Sequence, residues 1–126
     1  MFDYGTLQED SFPAPQVSIE VRAPDRVGAS CAIEVILDTG AAMTVLPASL
    51  LDEVDLSEYG KINVLGAVGK IEEALTAFVS LQIGPFLILD QEVVILDRPY
   101  GLLGRDVVNA FRLELDAPKS LWKIEE

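Results

Sequence analysis

Short segments in which apolar and polar residues alternate, separated by glycine and proline, constrain the fold of this sequence more than any other feature. In residues 16–22, apolar Val17, Ile19 and Val21 alternate with polar residues. This period of two is typical of a strand with one buried face. About eight such segments follow one another with turn residues between them, which predicts an all-β barrel or sandwich with one or two short helices.

The individual elements follow from the same pattern. The predicted strands cover residues 16–22, 31–37, 44–46, 61–65, 70–83, 86–89, 92–96, 112–116 and 120–124, and the predicted helices cover 47–54 and 104–111. Residues 1–14 are predicted to be irregular, because Gly5 and Pro13 break regular structure there. A chain of 126 residues has room for one domain. We therefore expect an N-terminal extension over residues 1–15 and a single domain over 16–126.

Composition limits the available chemistry. Lys and Arg number 9 against 21 Asp and Glu, a net charge of −12 without any basic cluster, which disfavours nucleic acid and anionic membranes as partners. There is no histidine, which excludes Ser-His-Asp and Cys-His catalysis and most transition-metal sites. Cys31 is the single cysteine and is expected to be a small core residue. Carboxylates remain as the acid–base groups, and we expect no metal and no cofactor.

The sequence shows no targeting signal. Its first residues are acidic and lack the basic and apolar regions of a signal peptide. The longest apolar runs, such as residues 86–89, are too short to cross a bilayer. We therefore expect a cytoplasmic protein.

One carboxylate stands in an unusual setting. Asp38 ends an apolar strand, Ile36-Leu37, and is followed by Thr39-Gly40-Ala41. Glycine permits close approach of the backbone to the carboxylate, and the threonine hydroxyl is able to lock the loop. A second apolar segment that ends in glycine, Leu102-Leu103-Gly104, begins 64 residues after Asp38 and runs into Arg105-Asp106.

This pair of motifs resembles the retropepsin-like aspartic proteases, which include the retroviral proteases and the small bacterial and archaeal clan AA peptidases. The resemblance runs from about residue 16 to residue 124, in the expected order. It implies a closed, mostly antiparallel β-barrel with one or two short helices that forms a homodimer. It also implies an aspartic endopeptidase that needs no cofactor and acts on peptide or protein substrates.

The resemblance assigns roles to individual residues. Asp38 is expected to be the catalytic aspartate, with Thr39 and Gly40 supporting its loop. Substrate contacts are expected from Ala41 and from a mobile hairpin tip, the flap, made of Leu65, Gly66, Ala67, Val68 and Gly69. Support of the catalytic loop is expected from Leu102, Leu103, Gly104, Arg105 and Asp106. Apolar Val64, Leu65, Val68 and Leu103 suggest a hydrophobic cleft.

The count of aspartates leads to the dimer. The chemistry needs two carboxylates that share one proton and activate a water between them. This chain has one Asp-Thr-Gly, so Asp38 must meet Asp38 of a second subunit. Terminal segments around 1–8 and 120–126 are expected to supply the interface strands. The sequence departs from the retroviral pattern at Ala42, where those proteases carry an acidic partner for the arginine that corresponds to Arg105.

Other interpretations stay open at this stage. The chain is alternatively a non-catalytic retropepsin-like module for dimerisation or peptide binding, or an unrelated acidic β-domain that binds a basic protein. A flap and a plain hairpin look the same in sequence. Arg105 and Asp106 are equally consistent with a local pair at a helix N-terminus.

Overall fold

A computed structural model describes residues 1–7, 12–56, 58–65 and 69–126 of the chain. Ten strands and two short helices lie in these ranges: β1 Phe2–Gly5, β2 Ala14–Arg22, β3 Cys31–Leu37, β4 Val45–Pro47, α1 Leu50–Glu53, β5 Glu58–Leu65, β6 Ile71–Ile83, β7 Phe86–Leu96, β8 Gly101–Leu103, α2 Arg105–Val108, β9 Arg112–Asp116 and β10 Leu121–Glu125. A 3-10 turn over Ala117–Lys119 joins the last two strands.

Six of the strands close into a barrel. Their order is β6-β7-β4-β8-β3-β2, and β2 returns to β6 with Val21 opposite Leu81. The β3–β8 and β4–β7 pairs are parallel, and the other described pairs are antiparallel. The expected closed and mostly antiparallel barrel with short helices is therefore confirmed.

The core fills the barrel with the apolar faces of alternating strands. Ile19 and Val21 of β2 are buried between exposed neighbours, as the alternation predicts. Cys31, Ile33 and Val35 of β3 are buried in the same alternating way, so Cys31 is a core residue as expected. The largest side chains with almost no exposed surface are Trp122, Ile19, Leu46, Leu50, Leu81, Ile83 and Leu103. Trp122 also donates its indole N–H to the carbonyl of Gln16, which ties β10 to β2.

The N-terminus differs from the sequence prediction. The local pattern predicted irregular structure for residues 2–5, and a strand was expected in this segment only at the dimer interface. Within one chain these residues form β1, which pairs with β10 and with the start of β2. Phe2 packs against Trp122 with their ring centroids 5.0 Å apart. A four-residue segment is too short to show an alternating pattern, so only the tertiary contact reveals it.

Three further elements differ from the prediction. The predicted strands 86–89 and 92–96 are one strand, β7, which passes Asp90 in a left-handed conformation with φ of 52°. The predicted helix 47–54 shrinks to Leu50–Glu53, because Pro47 belongs to β4 and pairs with Leu96. The predicted helix 104–111 likewise shrinks to Arg105–Val108.

No helix in the described ranges has the length and apolar character needed to cross a membrane.

Candidate active site

Asp38 lies where two central strands of the barrel end side by side. β3 runs parallel to β8, with Leu37 opposite Leu103. The amide of Asp38 then donates a 3.0 Å hydrogen bond to the Leu103 carbonyl. The end of one buried strand thus fixes the backbone of the carboxylate against the end of another.

The loop after Asp38 folds back on its carboxylate. The amide of Gly40 donates to Asp38 Oδ1 at 2.9 Å, and the amide of Ala41 donates to the Asp38 carbonyl at 3.1 Å. A Cβ atom on Gly40 would come within 3.1 Å of the same Oδ1, which is tighter than most contacts of real Cβ atoms. Glycine at this position therefore lets the backbone reach the carboxylate.

The start of α2 holds the far side of this loop. The amide of Arg105 donates to Ala41 at 2.9 Å, and the amide of Asp106 donates to Ala42 at 3.2 Å. The Arg105 guanidinium donates to the Thr39 carbonyl at 3.0 Å. In the described part of the chain Arg105 has no acidic partner, so this carbonyl takes the place that the retroviral pattern gives to an acidic residue at position 42.

A polar network centred on the buried Thr44 lies behind the loop. The Thr44 hydroxyl donates to Asp106 Oδ1 at 2.8 Å and accepts from the Gly104 amide at 3.0 Å. The Thr44 amide also donates to the Asp106 carboxylate, and Gln91 Nε2 donates to it at 3.2 Å. Asp106 therefore connects α2, the loop and β7, which is more than a local pair at a helix N-terminus.

Sequence reasoning missed Thr44 and Gln91 as parts of this support. Thr44 had a usable signal, because a lone hydroxyl in the apolar segment 43–46 must find a partner once it is buried. No sequence signal pointed to Gln91, because only the pairing of strands brings its side chain close to Asp106.

Two glycines allow the strands under the loop to approach closely. A Cβ atom on Gly104 would lie 2.6 Å from the backbone carbon of Met43, and one on Gly101 would lie 2.8 Å from the carbonyl oxygen of Val45. Neither backbone atom is able to move without disturbing the Asp38 loop or the barrel.

An open cleft of about 760 Å³ lies in front of Asp38. The described residues that line it are Asp38, Gly40, Ala41, Ala42, Met43, Val45, Ile62, Asn63, Val64, Leu65, Val94, Leu96, Arg98, Tyr100 and Leu102. Most of these side chains are apolar, and the charged ones are Asp38 and Arg98. Val64 and Leu65 therefore lie where the sequence expectation places them.

The cleft is lined by Leu102 and not, as the sequence suggested, by Leu103. Leu103 was expected to contribute to the hydrophobic cleft, but it is fully buried in the barrel core. Leu102 lines the cleft instead. Neighbouring side chains of a strand point to opposite faces, so a cleft on one face selects only one of the two.

The expected flap is described only at its two ends. β5 and β6 form a hairpin whose last described pair is Leu65 opposite Ile71, and both side chains are 70% exposed. Gly69 has φ of 78°, a conformation that favours glycine. Gly66, Ala67 and Val68 lie outside the described residues.

One ion pair joins this hairpin to the loop that follows β7. Arg98 Nη2 lies 3.6 Å from Glu72 Oε2, and both side chains are about half exposed. Glu72 is opposite Val64 in the hairpin, so the contact ties one wall of the cleft to the next. Among the described residues, no group of three or more histidine, cysteine or acidic side chains is arranged to hold a metal ion.

Comparisons with known proteins identify the family of the chain. The family described as Aspartyl protease matches residues 24–107, a range that contains Asp38, the described cleft residues and the start of α2. No curated protein matches the chain.

Two solved structures are similar in fold. A retropepsin-like aspartic protease from Rickettsia conorii has a TM-score of 0.61 and 22% identity, over 88% of this chain and 81% of its own. The EIAV protease in complex with the inhibitor HBY-793 has a TM-score of 0.57 and 22% identity, over 84% of this chain and 93% of its own. These similarities, together with the family match, confirm the resemblance inferred from the two sequence motifs.

Proposed function

We propose that this chain, which belongs to the aspartyl protease family, hydrolyses peptide bonds as a homodimer in which Asp38 of each subunit contributes one carboxylate. The observation that carries the proposal is the placement of Asp38. Its carboxylate is held by the Gly40 amide at the floor of an open, mostly apolar cleft.

The dimer follows from the number of carboxylates in the cleft. Asp38 is the only carboxylate among the described residues that line it, whereas the chemistry needs two. Thr39 follows Asp38 directly and is exposed, and its hydroxyl has no hydrogen-bond partner in the described part of the chain. That hydroxyl is therefore free to bond across a two-fold axis.

Two carboxylates so close together cannot both be ionised, so the pair keeps one proton. The ionised Asp38 takes a proton from a water whose oxygen attacks the carbonyl carbon of the peptide bond. The protonated Asp38 of the other subunit donates a hydrogen bond to the carbonyl oxygen, which stabilises the tetrahedral intermediate. A proton is then delivered to the amide nitrogen, the C–N bond breaks, and a carboxyl group and an amine leave.

The cleft supports a preference for apolar side chains in the substrate. Met43, Val45, Ile62, Val94 and Leu102 give it walls without charge, and burial of a substrate side chain there contributes about 25 cal/mol for each Å² removed from water. An extended peptide fits such an open cleft, which is bounded by the β5–β6 hairpin on one side.

Cleavage of an unstructured protein tests the proposal. Casein is incubated with the wild type, with Asp38→Asn and with the matched control Asp55→Asn, from about pH 3.5 to 7.5 and at high protein concentration. Asn has nearly the same shape as Asp but cannot share the proton. Asp55 is exposed and lies outside the cleft residues, so its variant keeps full activity.

The proposal predicts cleavage by the wild type and the control, and none by Asp38→Asn. It also predicts activity that rises and then falls with pH, because the pair works only with one proton. Equal cleavage by all three proteins would assign the activity to another site. No cleavage by any of them would favour the non-catalytic peptide-binding alternative.

A further inference from the structure

We propose that the open edge of β9 pairs with β9 of a second copy of this chain, with Arg112 of one copy opposite Asp116 of the other. The proposal rests on the homodimer proposed above and specifies its interface. It differs from the expectation that the terminal segments 1–8 and 120–126 supply the interface strands.

The terminal strands are already paired within one chain over much of their length. Residues 2–3 of β1 pair with β10, and residues 4–5 pair with β2. β10 lies between β1 and β9, and all five residues of β9 pair with it. In the described part of the chain β9 has β10 as its only neighbour, so its other edge presents unpaired backbone groups that a further strand is able to bind.

β9 also lies close in sequence to the elements that hold the catalytic loop. Residues 109–111 alone separate it from α2, whose first residue, Arg105, bonds to Thr39 and Ala41. An interface along β9 therefore leads directly into the part of the molecule where two Asp38 loops have to meet.

The residues of β9 suit pairing with a copy of themselves. Leu113 and Leu115 share the face of Ile124 and Trp122, while Arg112, Glu114 and Asp116 lie on the opposite face. Antiparallel pairing centred on Glu114 uses the whole strand. It places Arg112 opposite Asp116 of the second copy, and Leu113 opposite Leu115.

The neighbouring registers are less suitable. Pairing centred on Leu115 would set Glu114 opposite Asp116, and like charges directly opposite are destabilising. Pairing centred on Leu113 would need Phe111 as a strand residue, but Phe111 packs against Phe86 with ring centroids 4.9 Å apart. The register centred on Glu114 leaves Phe111 in its contact with Phe86. It also replaces those two like-charged pairs with one, between the two copies of Glu114, and each of these has Lys123 beside it.

The oppositely charged side chains that this register places opposite each other are not already paired within the described part of one chain. Arg112 and Asp116 form no ion pair in the described part of the chain, and Glu125, opposite Arg112 on β10, lies 3.8 Å from Lys123 instead. The two copies of Glu114 would meet at the centre, where each has Lys123 at 3.1 Å. The hydrogen bond from Lys123 to Glu114 raises the pKa of Lys123, so its ammonium group stays charged beside them.

An apolar contact supports the same pairing. Leu115 is 50% exposed although it shares the face of the buried Trp122. Leu113 of the second copy would cover part of it. The result is a continuous six-stranded sheet in the order β1-β10-β9-β9-β10-β1 across the two-fold axis.

A charge exchange tests this interface. Sedimentation equilibrium measures the dimer dissociation constant of the wild type, Arg112→Glu, Asp116→Arg and the double variant. The dimer contains the pair twice, so we expect each single variant to weaken dimerisation by roughly tenfold or more and the double variant to recover to within about threefold. Arg22→Glu and Asp55→Arg make the same changes of charge at exposed positions away from β9 and should leave dimerisation nearly unchanged.

The outcomes separate this proposal from the proposed function. Casein cleavage that falls and recovers together with dimerisation supports both. If the wild type, the two single variants and the double variant all dimerise equally well, the β9 interface is overturned and the Asp38 pair is left intact. A chain that is monomeric at every concentration yet cleaves casein through Asp38 would overturn the shared dyad itself. Circular dichroism confirms that each variant is folded, and recovery by the double variant excludes a simple folding defect.

Discussion

The Thr44 hydroxyl donates a 2.8 Å hydrogen bond to the carboxylate of Asp106, a residue 62 positions later in the sequence. Thr44 is fully buried, and its hydroxyl also accepts the amide of Gly104. This contact locks α2 to the segment that follows the Asp38 loop, so that loop depends on a threonine that does not line the cleft.

Removal of that hydroxyl should destabilise the fold. Thr44→Val keeps the shape but leaves the buried Gly104 amide without an acceptor and removes one donor from the Asp106 carboxylate, which we expect to cost about 1–3 kcal/mol in free energy of unfolding. Thr44→Ser keeps the hydroxyl and loses one methyl group, at a cost of about 1 kcal/mol. Urea unfolding measures both. A Thr44→Val protein as stable as Thr44→Ser would show that the network contributes packing alone.

Gly104 should not tolerate even a methyl group. Its backbone angles suit any residue, but a Cβ atom would lie 2.6 Å from a backbone carbon of Met43. We expect Gly104→Ala to lower the free energy of unfolding by about 1–3 kcal/mol and to reduce casein cleavage, because the Asp38 loop must shift.

Gly60→Ala is the matched control for that change. The nearest atom to its Cβ would be the Thr76 hydroxyl oxygen at 3.6 Å, an ordinary contact. Alanine in a strand also loses less conformational freedom on folding than glycine does, so this variant should be as stable as the wild type. Equal effects of the two substitutions in urea unfolding would refute the steric explanation.

Cys31 should make stability fall in alkaline solution. Burial raises the pKa of its thiol to about 11 from an ordinary 9.0, and Glu53, which accepts its hydrogen bond, adds to the shift. The unfolded thiol ionises first as pH rises, so the contribution to stability is complete below pH 9 and is lost between about pH 9 and 11. The loss is on the order of 2 kcal/mol.

The Cys31→Ala variant isolates this effect from other groups that titrate in the same range. We expect its free energy of unfolding to be lower than that of the wild type at pH 8, because a cavity is created, and to fall less steeply above pH 9. Curves for the two proteins that fall in parallel between pH 9 and 11 would contradict the prediction.

Local patterns predicted much of the fold and of the site. Period-two alternation located β2 and β3, and the glycine-bearing motifs located Asp38 and Gly104 before any contact was known. The local pattern did not predict β1, because its four residues are ordered by Trp122, which lies at the other end of the chain.

The remaining differences have the same origin. The choice between Leu102 and Leu103 for the cleft depends on which face of β8 is covered, and the partner of Arg105 depends on where the Thr39 carbonyl points. Both are fixed by the parallel pairing of β3 with β8, which brings together residues about 65 positions apart and leaves no mark in either segment alone.

Subunit mixing tests the central claim, a dyad built from Asp38 of two chains, most directly. Increasing amounts of Asp38→Asn are added to a fixed amount of wild-type protein, above the dissociation constant of the dimer, and casein cleavage is measured after exchange. Mixed dimers carry one carboxylate, so an equal amount of the variant should lower cleavage to about half by random pairing of subunits, and an excess should nearly abolish it. Cleavage that stays constant throughout would show that each chain acts alone, and would contradict the shared dyad.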